Sequence, residues 1–167
     1  MTRSAAASHG LRIAALALLA LAAFASRADG RFAVSADGQE VTDASTKLIW
    51  RRCAEGLAWD GKACSGKLVK MTYAVAKQKA ASAAKQGSKA WRVPSREELL
   101  GLVDMAKKKK PHIDAAAFPQ TPALPFWATR AGSDDDLNAW LVSFANGKVR
   151  GNVGQAKFPL RLVRDEP

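Results

Sequence analysis

Residues 50–66 read WRRCAEGLAWDGKACSG and hold both cysteines of the chain, Cys53 and Cys64, around a Trp59-Asp60-Gly61 turn. Three chemistries compete for such a pair: a metal clamp, a redox couple or a disulfide. A structural zinc site takes about four nitrogen or sulfur ligands, and beyond the first 28 residues His112 is the one histidine that could join two cysteines. Redox couples usually carry their cysteines two residues apart, whereas ten residues separate these. The redox compartment therefore decides the matter.

The first residues speak to that compartment. Arg3 and Arg12 form a positive region, and residues 13–24 (IAALALLALAAF) are an unbroken apolar run. Such a run has the length of a signal-peptide core and falls short of the ~20 residues needed to span a bilayer. Small-residue cleavage sites follow at Ala23-Phe24-Ala25 and Ser26-Arg27-Ala28. The second is favoured because it starts the mature chain at Asp29, among polar, turn-forming residues. The expectation is a signal peptide over 1–28, one domain over 29–167, and a periplasmic or secreted protein with no transmembrane segment after cleavage. No cysteine stands at the cleavage site to carry a lipid. In an oxidising compartment Cys53 and Cys64 are expected to form a disulfide, worth about 3 kcal/mol through its constraint on the unfolded chain.

The whole chain carries a net charge of +11; removing 1–28 takes Arg3, Arg12 and Arg27 and no acid, leaving 23 Lys and Arg against 15 Asp and Glu, a net +8. Five Trp and six Phe indicate a globular core rather than a disordered tail. A basic balance invites anionic partners. Nucleic acid is not expected among them, because an exported protein does not ordinarily meet it.

Local patterns give an order of elements. Residues 31–34 and 40–42 flank Asp37-Gly38 as a hairpin, and Leu48-Ile49-Trp50 reads as a buried strand. Thr72 then opens an Ala-rich helix with Tyr73, Ala76, Ala80 and Ala83 on one stripe and Gly87 just past its end. Ser95 and Glu98 fit a capping box. It opens a second helix, expected to carry Leu99, Leu102, Val103 and Ala106 on its apolar face and to end in lysines before Pro111. A Pro-rich ordered loop spans 111–125. Residues 139–144 alternate with Trp140, Val142 and Phe144 on one side, Asn146-Gly147 marks a hairpin, 148–152 returns, and 160–163 reads as the last strand. The class is α+β, with helices segregated from an antiparallel sheet.

Seven segments in this order, RFAVSADGQEVTD, LIWRRCAEGLAWDGKACSG, WRVPSREELLGLVD, IDAAAFPQTP, FWATR, AWLVSFANGKV and FPLRLVR, span residues 31–164. Together they resemble the Lcl C-terminal domain-like family, a domain family of unknown function that includes the C-terminal domain of the Legionella collagen-like adhesin. The resemblance implies a C-type-lectin-like fold in which the terminal strands pair and a long loop region carries binding. It also implies an exported, envelope- or surface-associated protein. The adhesin's domain is implicated in binding sulfated glycosaminoglycans and assembles as a trimer, so the resemblance extends to an anionic glycan and a trimer as carry-overs; the sequence itself leaves the oligomeric state open. No reaction is attached to the family. Two features depart from it: residues 1–30 hold no Gly-X-Y repeat, and Phe126-Trp127-Ala128-Thr129 stands where a serine-rich run often follows the aromatic pair.

The candidate sites follow from residue chemistry. Lys107, Lys108, Lys109 and Lys110, beside His112, are four cations with no intervening acid. Arg150, Lys157, Arg161 and Arg164 form a second basic set. Both are candidate polyanion contacts, with Trp59 and Trp127 as candidate aromatic stacking surfaces. Trp91-Arg92-Val93-Pro94 reads as architectural, with Trp91 in the core and Arg92 anchoring neighbouring backbone carbonyls or an acid such as Asp104. The Asp134-Asp135-Asp136 run with Asn138 offers oxygens of the kind calcium takes. It lacks the Glu-Pro-Asn or Gln-Pro-Asp loop of calcium-dependent lectins, and a solvated turn is expected, with no metal or cofactor. No Gly-x-Ser-x-Gly elbow or nucleophile–base pair appears, so no catalytic residue is assigned. The expected function is a non-enzymatic, exported binding module for an anionic glycan or envelope polymer. Its rivals are an envelope protein–protein module using residues 111–130 and a relative of sulfatase-modifying, formylglycine-generating enzymes, which needs a free thiol.

Overall fold

The computed structural model describes residues 30–130, 139–151 and 155–167. The expected signal peptide and the Asp134-Asp135-Asp136 run lie outside the described residues. Strand β1 (Phe32–Val34) turns at Asp37-Gly38 into β2 (Glu40–Asp43), pairing Phe32 with Asp43 and Val34 with Val41. Gly38 has φ +71°, and a Cβ there would stand 2.4 Å from the Trp59 ring, so conformation and space both demand glycine. β2 pairs antiparallel with β3 (Leu48–Arg51), which carries the buried Leu48, Ile49 and Trp50.

The last strand, expected at 160–163, forms instead as β9 (Val163–Asp165) on the free side of β3. The shift has a cause. Leu160, Arg161 and Leu162 are all fully buried, which an alternating strand with one wet face does not allow. They run beside residues 51–55 instead, where the Leu162 and Leu160 carbonyls accept from the Arg51 and Glu55 amides at 2.9 Å. The sheet order β1-β2-β3-β9 puts the terminal strands in one sheet but at opposite edges. They do not pair with each other, contrary to what the resemblance implied.

The cysteine segment folds as its own hairpin, β4 (Leu57–Trp59) against β5 (Cys64–Gly66). Helix α1 (Tyr73–Gly87) buries Tyr73, Ala76 and Ala80, as the stripe predicted. Thr72 precedes it in extended conformation without a side-chain cap, and Ser88 at φ 47° takes the left-handed position assigned to Gly87. Helix α2 (Arg96–Leu100) has the full capping box: Ser95 Oγ accepts from the Glu98 amide at 3.1 Å, and the Glu98 carboxylate accepts from the Ser95 amide at 2.7 Å. It is one turn, shorter than expected. Gly101 ends it, and Asp104 Oδ1 takes the Ala106 amide at 3.0 Å, offering the backbone a local alternative to continued helix.

β6 (Pro125–Thr129), β7 (Ala139–Ser143) and β8 (Val149–Gly151) form a second antiparallel sheet, with Gly147 at φ +67° in the predicted hairpin turn. Both faces of this sheet are buried. Phe126, Ala128, Val142 and Phe144 join Val41, Leu48, Trp50 and Val163 of the first sheet, under Leu99, Ile113 and Phe118. Trp127, Ala139 and Leu141 face the other way, onto Ile49, Trp91, Leu160, Leu162 and the small residues of α1. Each fully buried large apolar side chain contributes about 1.5–3 kcal/mol relative to exposure, so the two clusters hold the two sheets and α1 as one body.

Candidate functional site

Cys53 and Cys64 are joined, with Cα atoms 5.5 Å apart. The bond ties the β4–β5 hairpin back to the end of β3. Asp60 organises the hairpin tip: its carboxylate accepts from the Ser65 hydroxyl and from the Ala63 and Lys62 amides, and those donors hold its pKa down to about 2. With both cysteines of the chain paired, no thiol remains for thiol-dependent chemistry. Trp59 is half-buried, and the Arg52 guanidinium covers its ring at 3.7 Å from the centroid. Gly38 abuts its Cδ1–Nε1 edge, and its carbonyl accepts from Gln39 Nε2 at 3.0 Å. It is a ring already stacked by its own chain.

The structure corrects three of the sequence-based site assignments. Trp127 is fully buried, its Nε1 donating to the Met71 carbonyl at 2.7 Å and its ring packed against Tyr73 and Phe158, so it presents no stacking face. Arg161 is fully buried. Its guanidinium donates to the carbonyls of Arg51 and Arg52 and, at 2.7 Å, to Thr121 Oγ1, over the face of Phe118. Burial without a carboxylate pulls its pKa below the usual arginine value. Arg164 is buried too, donating to Glu40 at 2.7 Å and lying over Trp91. Alternation cannot distinguish these cations from exposed ones, because the segment that carries them is buried on both sides.

The remaining basic residues are exposed and lie toward one end of the second sheet. Lys107, Lys108, Lys109 and Lys110 sit on a loop whose neck is laced together. The Asp104 amide donates to the His112 carbonyl at 3.0 Å, and His112 Nδ1 lies 3.1 Å from the Lys107 carbonyl. That neck is fastened to the β7–β8 hairpin. The His112 amide donates to the Phe144 carbonyl at 2.8 Å, and a Cβ on Gly147 would lie 3.4 Å from Met105 Sδ. The residue after Gly147 is Lys148, which with Arg150, Ser143 and Asn146 rims a groove of about 260 Å³ floored by Leu141, Pro125 and Phe158. Lys157 is exposed immediately before Phe158. Among the described residues, no carboxylate pairs with any of these seven cations.

The acids go elsewhere. Arg92 anchors acids, as expected in kind, though they are not Asp104: it forms a double hydrogen bond to Glu98 at 2.8 Å and reaches Asp165 at 2.9 Å, which raises its pKa. Glu40 takes Lys89 and Arg164 together. Asp43 holds Arg31. Among the described residues, no group of three or more His, Cys, Asp or Glu is placed to hold a metal, and no helix is long and apolar enough to cross a membrane.

Sequence reasoning missed Lys148, Asn146, Ser143 and Phe158. A signal for Lys148 existed: it stands two residues before Arg150, on the same face of a strand that follows an Asn-Gly turn. Phe158 carried none, since it lies outside the hairpin and is placed by its bridge to Met71. No curated protein sequence matches the chain. The model of the Lcl C-terminal domain matches residues 39–164, from the second strand to the last, and includes the cysteine hairpin, the basic loop and the groove. The chain belongs to the Lcl C-terminal domain family.

Proposed function

We propose that this protein is an exported, non-enzymatic binding module that recognises an anionic glycan or envelope polymer. The observation that carries the reading is the set of exposed cations at one end of the second sheet that have no acidic partner among the described residues: Lys107, Lys108, Lys109, Lys110, Lys148, Arg150 and Lys157. A charged polymer laid across them makes many weak contacts at once, each screened within about 8–10 Å at physiological salt. Family membership supports a binding role outside the cytoplasm, and the disulfide supports an oxidising compartment. The reading includes a signal peptide over 1–28, a C-type-lectin-like ancestry for the fold, and a periplasmic or secreted destination.

A heparin column developed with a salt gradient tests it. The mature domain is expected to bind at low salt and to elute as salt rises, and a variant with residues 107–110 all changed to Gln is expected to elute earlier. Elution of the wild-type domain in the void volume at low salt sinks the reading. A protein-partner reading has its own observation, though not where residues 111–130 suggested, since Ile113, Ala117, Phe118 and 126–128 are core. It rests on the exposed Leu100 and Met105, the first of which borders a 360 Å³ cleft with Trp140 and Val149. Binding that survives high salt and is lost on Leu100→Lys favours that reading.

A further inference from the structure

We propose that the groove at the β7–β8 hairpin is a binding site for a single acidic pyranose, a sugar ring bearing a carboxylate or a sulfate ester. The proposal rests on the anionic-glycan reading for its ligand class and adds a site with defined hydrogen-bonding chemistry.

Strand register assembles the site. Arg150 stands directly opposite Leu141, and Ser143 opposite Pro125. Lys148, two residues before Arg150, accepts the Ser143 amide on its carbonyl at 3.0 Å. Alternation therefore brings Leu141, Ser143, Lys148 and Arg150 to one face. Phe158 closes the floor, held edge-on against Trp127 at 5.3 Å and bridged to Met71.

The polar atoms facing the groove are donors. Asn146 Oδ1 is occupied by the Lys148 amide at 3.1 Å, which leaves its Nδ2 to donate outward. Ser143 Oγ accepts the Ala145 amide at 3.2 Å, leaving its hydroxyl proton to give. Lys148 and Arg150 only donate. Among the described residues, no Asp or Glu lines the groove. A cavity of this chemistry selects a ligand rich in acceptors and carrying negative charge, because charge-assisted hydrogen bonds are about twice as strong as neutral ones. The floor of Leu141, Pro125 and Phe158 matches the C–H face of a pyranose, and its hydroxyl perimeter meets the polar rim. The volume of about 260 Å³ lies under the roughly 300–1,000 Å³ of drug-sized sites, which suits one ring.

The test is an amide NMR titration of the ¹⁵N-labelled mature domain with methyl β-D-glucuronide, glucose 6-sulfate, methyl β-D-glucoside and sodium sulfate in parallel. The expected result is saturable shifts at the amides of Asn146, Gly147, Lys148 and Arg150 with one or both acidic sugars, the responding arm identifying carboxylate or sulfate ester. The neutral glucoside and free sulfate are each expected to bind about tenfold more weakly or worse, a difference of about 1.4 kcal/mol. Asn146→Asp keeps the oxygen that caps Lys148, converts the outward donor to a charged acceptor, and is expected to abolish the acidic-sugar response. Arg150→Gln is expected to weaken it about tenfold while the thermal midpoint stays put. Equal binding of the neutral sugar, equal binding of free sulfate, an unaffected Asn146→Asp variant, or shifts confined to residues 107–110 each overturn the proposal. Void elution from heparin with a saturable groove defeats the polymer reading and leaves the sugar site standing; heparin retention with a silent groove defeats the sugar site alone.

Discussion

Arg161 and Arg164 differ from Lys107–Lys110, Lys148 and Arg150 in almost everything except charge. The first two are buried, and each is consumed by the fold: Arg161 by two backbone carbonyls and a hydroxyl, Arg164 by Glu40. The others are exposed and have no acid to pair with among the described residues. A cation in a buried segment must bring its acceptors with it, because an unpaired buried charge costs several kcal/mol. A cation on an exposed turn needs none. Net charge is therefore a poor guide to where a basic protein meets an anion; the relevant quantity is the part of that charge the chain leaves unanswered.

The largest break in this contrast comes from Arg161→Met, set beside Arg150→Met. Methionine fills similar space but gives the Arg51 and Arg52 carbonyls and Thr121 Oγ1 no donor. Each buried acceptor left without a partner costs about 1–3 kcal/mol, so a loss of about 3 kcal/mol or more is expected in urea unfolding. Arg150→Met is expected to stay within about 0.5 kcal/mol of wild type. Equal stability of wild type and Arg161→Met would mean that the buried guanidinium is not a structural tie.

The answered charges also set a pH dependence. Asp43 is nearly inaccessible, and burial alone would raise its pKa. The Arg31 guanidinium at 2.9 Å and the hydroxyl and amide of Ser45 outweigh that and hold it at about 2, below the ordinary 3.8. Its folded value is depressed, so its contribution is complete above about pH 4 and is lost as pH falls toward 2. The amount is about 2 kcal/mol. Urea midpoints of wild type and Asp43→Asn, measured from pH 7 to pH 2, are expected to converge at the acid end. A gap that stays constant with pH defeats this account.

The same contrast explains what the sequence could convey. The capping box at Ser95, the Asp-Gly and Asn-Gly hairpins, the α1 stripe and the disulfide were legible because each is set by residues close together or by a compartment rule. The end of α2 was misjudged because Gly101 and Asp104 compete with an apolar period that reads as helix. Trp127, Arg161 and Arg164 were misjudged for one shared reason. Neither a Trp nor an Arg in a short segment declares from sequence which way it points, and only tertiary packing reveals that both faces of the segment are covered. The groove was half legible: Arg150 was singled out, but its partners are set by strand register and by the bridge that holds Phe158 to Met71, neither of which local patterns reveal.

The smallest expected effect sharpens the comparison most. Changing residues 107–110 together from Lys to Gln removes four exposed positive charges from one loop while leaving its neck, built from Asp104, His112 and Phe144 backbone groups, intact. Nothing in the described residues is tied to those ammonium groups, so stability is expected to move by about 0.5 kcal/mol at most, and upward, as like charges stop repelling. The gain is expected to shrink as salt is raised, since screening already removes the repulsion there. Urea midpoints of the two proteins in 20 mM and 500 mM salt measure it. A loss exceeding about 1 kcal/mol would place these lysines with Arg161, as cations the fold depends on, and would remove the distinction on which the binding face is drawn.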